Sequence, residues 1–108
     1  MKNLKTFESF VNEAYAEKQV NDLLNMYPIS LSIKRDKISV VYSGWDLGYD
    51  DGKYHKITWN PEDKSVESGA YKDRRCTKFV TASNWSEDVT SLEDFADIVN
   101  GKAKGDWN

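Results

Sequence analysis

The sequence predicts an α+β fold: an antiparallel sheet of four to five strands, flanked by an N-terminal and a short C-terminal helix in two layers. Three observations predict it. Residues 29–43 alternate apolar and polar with a period of two. Apolar residues recur at helical spacing near both ends of the chain, over 3–26 and 91–100. Between them, short strand-like runs are separated by turn-forming residues, the order expected of one sheet covered by helices at its ends.

In chain order, residues 3–26 carry an apolar stripe, with Leu4, Phe7, Phe10, Val11 and Ala14 in the first half and Val20, Leu23, Leu24 and Tyr27 in the second. Pro28 is the expected stop, because proline disfavours helical geometry in the residue before it. The stripe weakens around residues 14–18, where a break between the halves is possible. In 29–43, Ile29, Leu31 and Ile33 alternate with Ser30, Ser32 and Lys34, and Ile38, Val40 and Tyr42 alternate with Lys37, Ser39 and Val41. A turn at Arg35-Asp36 sets Ile33 against Ile38, Leu31 against Val40 and Ile29 against Tyr42. The opposite face, rich in serine and lysine, is expected to be wet.

Residues 43–53 hold three glycines and three aspartates and read as a loop. Runs 54–59 and 65–71 form a second hairpin around Asn60-Pro61-Glu62-Asp63, which suits a type I turn. A fifth strand is expected over 76–83, after the charged connector Lys72-Asp73-Arg74-Arg75. The last helix, about 91–100, has a capping-box pair in Thr90 and Glu93. Leu92, Phe95, Ile98 and Val99 form its buried stripe, Gly101 its stop, and the tail from Lys102 is expected to fray, with Trp107 able to dock.

With 108 residues the chain holds one modest core. Aromatics reach 13%, including four tryptophans and six tyrosines. One small core does not hold them all, so some are expected on a binding face. The net charge of -3 argues against duplex nucleic acid as a partner. The single cysteine, Cys76, excludes an internal disulfide. No apolar run reaches the length of a membrane span, and polar residues interrupt the N-terminus too often for a secretory signal.

No P-loop, dinucleotide fingerprint, nucleophile elbow or zinc-protease motif occurs, and neither a cofactor nor catalysis is expected. His55, the one histidine, reads as a structural strand residue. Cys76 reads as a buried structural thiol, with Arg74 and Arg75 beside it to lower its pKa. Asp46, Asp50 and Asp51 do not match a calcium loop: the twelfth position from Asp46 is Ile57, where a glutamate is required. No metal site is therefore assigned. The aromatic set Trp45, Tyr49, Tyr54, Trp59, Tyr71 and Trp85 is the candidate working surface. Within it, Trp45, Asp46, Tyr49, Asp50 and Asp51 form the expected partner-binding loop, since rigid aromatics beside carboxylates suit a basic protein patch. The bland alternative places Trp59 and Tyr42 in the core with the other rings at its edges.

Residues 5–14 carry the most specific pattern. Lys5, Thr6, Phe7, Phe10, Val11, Glu13 and Ala14 follow the form Lys-Thr-aromatic-x-x-Phe-aliphatic-x-Glu-Ala. This resembles the capsid-targeting peptide of T-even-type bacteriophage internal head proteins. The resemblance implies a leader over 1–13 and a domain over 14–108. It implies that the peptide directs the protein into the prohead and that the head maturation protease cuts between Glu13 and Ala14. As an amphipathic helix, the segment can lay Leu4, Phe7, Phe10 and Val11 into a groove on a scaffold protein. Val11 stands where the family usually has Ile or Leu. The implied location is the head interior and then the host cytoplasm, where the delivered domain binds or inhibits a host protein. Two alternatives remain open: a minor structural or decoration component of the particle, and an intracellular accessory binding protein in which Phe7, Phe10 and Val11 belong to the core face of an N-terminal helix.

Overall fold

A computed structural model describes residues 17–34 and 36–103 of the chain. The leader residues Phe7, Phe10, Val11, Glu13 and Ala14, the turn residue Arg35 and the tail with Trp107 lie outside the described residues. Helix α1 covers residues 17–23. It is followed by β1 Ser30–Lys34, β2 Lys37–Ser43, β3 Tyr54–Asn60, β4 Ser65–Tyr71, β5 Phe79–Ser86 and helix α2 Leu92–Lys102. The strands form one antiparallel sheet in chain order, an α+β architecture as the alternation predicts.

Period-two alternation fixes the register. Ile33 pairs with Ile38 and Leu31 with Val40. Ile29 lies just ahead of β1 and does not pair with Tyr42; its N–H donates to the Val41 carbonyl at 2.7 Å. At the β3–β4 turn, the Asn60 side-chain oxygen accepts from the N–H groups of Glu62 and Asp63, and Lys64 takes a left-handed φ of 61°. This is the local bonding by which Asn stabilises turns.

The core lies over β2, β3 and β4. Val40, Tyr42, Ile57, Trp59 and Val66 rise from the sheet to meet Val20, Leu24, Phe95, Ala96, Val99 and Ala103. Fully burying a side chain such as Phe95 or Ile57 contributes about 1.5–3 kcal/mol. Trp59 stacks on Phe95 with ring centroids 5.8 Å apart, and its indole N–H donates to the Val89 carbonyl at 3.0 Å. Leu31, Ile33 and Ile38, on the same apolar face, are partly buried and pack against this core.

Five expectations need correction. Helix α1 ends at residue 23, not 26, and well before Pro28. Tertiary partners capture the backbone there: the Asn100 amide donates to the Leu23 carbonyl and accepts from Asn25 N–H, and the Tyr42 hydroxyl donates to the Met26 carbonyl at 2.6 Å. Tyr27 consequently leaves the stripe and is 76% exposed. Strand β5 starts at Phe79, not 76. Asp73 accepts from the N–H groups of both Thr77 and Lys78 and holds the intervening residues in a turn.

The N-cap of α2 is Ser91, whose hydroxyl accepts from Asp94 N–H at 3.1 Å, in place of the Thr90–Glu93 pair. Gly101 lies inside α2 and does not stop it, and Lys102 belongs to the helix. Ala103 is buried in the core and Lys102 lies 5.2 Å above the Trp85 ring. These contacts offset the cost of about 1 kcal/mol for glycine in a helix. Finally, the second face of the sheet is not uniformly wet. Ser39 and Val41 are buried there, in a groove that residues 74–76 also line.

Candidate functional site

The loop between β2 and β3 is pinned at both ends. Gly44 N–H donates to the Lys53 carbonyl at 2.7 Å, and the Gly44 carbonyl accepts from Leu47 N–H and Tyr49 N–H. A 3-10 turn, Trp45–Leu47, closes on Gly48, whose left-handed φ of 83° suits glycine. Ser43 Oγ accepts from Asp46 N–H, and Asp51 Oδ1 accepts from Lys53 N–H at 2.9 Å. Leu47 is buried and anchors the loop to the core.

The five expected partner-binding residues divide into two groups. Trp45 is 75% exposed, Asp50 is exposed beyond it, and Asp46 is half-buried at the foot of the turn. Tyr49 and Asp51 turn instead to His55. The Tyr49 ring lies 4.9 Å from the imidazole, and Asp51 Oδ2 lies 2.9 Å from His55 Nε2. Desolvation pushes the Asp51 carboxyl up, but hydrogen bonds from Lys53 N–H and His55, with the charges of both, outweigh it and hold the group below the ordinary carboxylate range. Burial, with a smaller contribution from Asp46, raises the Tyr42 phenol far above its usual value.

Sequence reasoning did not find the Asp51–His55 pair, although Asp51 before Gly52 is a common sign of a side chain bonding its own turn. Beside this pair lies a cleft of about 280 Å³, with His55, Ser68, Thr81 and Ser83 along the strands and Tyr49 and Trp85 among its walls. Asp51 is the only hydrogen-bonding side chain on His55 among the described residues. Among the described residues, no three His, Cys, Asp or Glu side chains converge to hold a metal ion.

Of the aromatic set, Trp59 is core, Tyr49 and Trp85 pack at its edge, and Tyr71 meets exposed Phe79 edge-on at 5.7 Å. Within the charged connector, Arg74 and Arg75 converge with Lys56 on a groove of the second sheet face. The lowered pKa that Arg74 and Arg75 suggested for Cys76 is not found. The residue is half-buried, and desolvation raises its pKa, opposed by Lys56 and reinforced by Asp73. Neither adjacent arginine lowers it.

No described helix is long and apolar enough to cross a membrane. The fold and site thus define an α+β domain that presents a pinned aromatic loop. Comparison with family models, curated proteins and solved structures finds no match to this chain.

Proposed function

We propose that this chain is a phage-encoded internal head protein. Residues 1–13 act as the packaging leader, a protease cuts after Glu13, and the domain travels with the genome from the head interior to the host cytoplasm. There it binds a host protein without catalysis, through Trp45 and Asp50 with Asp46, Tyr49 and Asp51 as their support. The observation that carries the binding role is Trp45: a tryptophan 75% exposed on a loop whose shape is already fixed. Exposed tryptophans anchor interfaces, and a pinned loop loses little freedom on binding. The delivery role rests on the resemblance of residues 5–14.

The free edge of β5 favours one second reading, a decoration component of the particle. Phe79 and Val80 are exposed there, 60% and 38%, on a strand with one edge unpaired among the described residues.

The test is the intact mass of the protein recovered from purified particles. A mass beginning at Ala14 supports the leader. A full-length mass favours the decoration component. Absence from particles leaves an intracellular binding protein. For the domain, Trp45→Ala should keep the wild-type unfolding midpoint and weaken a cross-linked host partner at least ~30-fold, as expected of an anchor worth about 2 kcal/mol. Unchanged affinity would remove Trp45 from the interface.

A further inference from the structure

On the sheet face opposite the helices, a groove of about 460 Å³ runs between β1, β2 and the connector after β4. That volume lies within the ~300–1,000 Å³ of small-molecule sites. Three cationic side chains, Lys56, Arg74 and Arg75, line it together with Ser30, Ser32 and Ser39, and among the described residues no carboxylate does. This reverses the sign of the chain as a whole, which carries -3. None of the three cations forms an ion pair with a carboxylate among the described residues; the ion pairs found there are Lys18–Asp22 and Asp51–His55. Asp73 and Glu67 are otherwise engaged or set apart. Asp73 has Oδ1 occupied by two backbone N–H groups and Oδ2 by the Thr77 hydroxyl. Glu67, opposite Thr58, lies outside the groove lining.

The groove is built rather than a chance meeting of surface side chains. Ser39 is 8% exposed, and its hydroxyl bonds Thr58 at 2.9 Å. The connector that carries both arginines is closed by Lys72 N–H on the Lys78 carbonyl and by Cys76 N–H on the Asp73 carbonyl. Cys76 takes φ 59°, a left-handed conformation that a residue with a side chain adopts only where its surroundings hold it. Two arginines are thereby displayed on a fixed loop across from a lysine on β3. Guanidinium groups offer forked donor pairs that match phosphate oxygens, and Lys supplies a point charge.

We propose that this groove binds a phosphate-bearing ligand, with Arg74, Arg75 and Lys56 holding the phosphate oxygens over the serine-lined floor. The phosphate could come from a small phosphoester or from the backbone of a single-stranded nucleic acid. Exposed Phe79, four residues beyond Arg75, is available as a stacking surface in the second case.

The test titrates the full chain, at low salt, with inorganic pyrophosphate and separately with a short oligothymidylate, following backbone amide shifts by NMR. Saturable shifts at Ser32, Ser39, Lys56 and Cys76 are expected. They should weaken at least about tenfold in Arg74→Gln/Arg75→Gln, the loss expected when charged hydrogen bonds are removed. Lys18→Gln, a cation on α1, should bind as wild type, and circular dichroism confirms that each variant folds. Binding of pyrophosphate alone assigns a small phosphoester. Binding of the oligonucleotide, falling steeply with salt, assigns a single strand. No shift with either probe up to about 10 mM, or shifts unchanged in the double variant, overturns the proposal.

Discussion

Replacing Gly44 by alanine should unseat Asp51. Gly44 has φ -58° and ψ -38°, which alanine adopts without strain. A Cβ there would overlap Asp51 Oδ1 and come within 3.1 Å of Asp51 Cγ and 3.2 Å of the Lys53 carbonyl oxygen. The carboxylate has to rotate away, breaking its bonds to Lys53 N–H and His55, each 2.9 Å long. The imidazole bond, to an ionised partner, contributes about 1.5–3 kcal/mol and the amide bond about 1. Partial exposure of Asp51 favours the lower end. The Gly→Ala change returns roughly 0.4–1 kcal/mol by restricting the unfolded chain. The net loss is about 1–2 kcal/mol, a fall in Tm of roughly 5–10 °C for a domain of this size. Urea unfolding of Gly44→Ala, Asp51→Ala and the double variant isolates the cause. Gly44→Ala should cost less than about 0.5 kcal/mol once Asp51 is alanine. An equal cost in both backgrounds would refute the carboxylate collision and leave the Lys53 carbonyl as the obstacle.

Two further outcomes follow, one from the Asp51 contacts and one from those of Asn100. Because folding depresses the Asp51 pKa from 3.8, its contribution is fully present above that value and is lost as pH falls through the lower folded value. The urea midpoint of wild type should therefore drop more steeply below about pH 4 than that of Asp51→Asn, and parallel acid limbs would contradict this. Asn100→Ala should strip the Leu23 carbonyl and Asn25 N–H of their partners at a cost of about 1–3 kcal/mol. Hydrogen exchange at Asn25 should accelerate selectively, whereas uniform acceleration that includes β3 amides would point to global loss.

Legibility in the sequence followed the range of the interactions. The pairing of Ile33 with Ile38 and Leu31 with Val40 was readable because one residue of slip would send every apolar side chain to the wrong face. The Asn60 turn was readable because its bonds are local. The end of α1 was not: the groups that replace its helix bonds come from Tyr42 and Asn100, distant in sequence. The start of β5 was missed because Asp73 prefers its own turn to the sheet. In the candidate site, Trp45 could be picked out as a loop aromatic. The packing of Tyr49 against His55, and the groove that Ser39 shares with the arginine connector, depend on how strands and loops come together in space.

The fastenings of the N-terminal segment bear on how it could be trimmed. Among the described residues they begin at Val20 and continue through Leu24, the Asn100 amide and the Tyr42 hydroxyl. A cut after Glu13 would leave residues 14–19 ahead of the first of them. Each of these polar fastenings joins the segment after residue 19 to β2 or α2, so under the proposed cut they are what would tie the new N-terminal end to the sheet and the last helix.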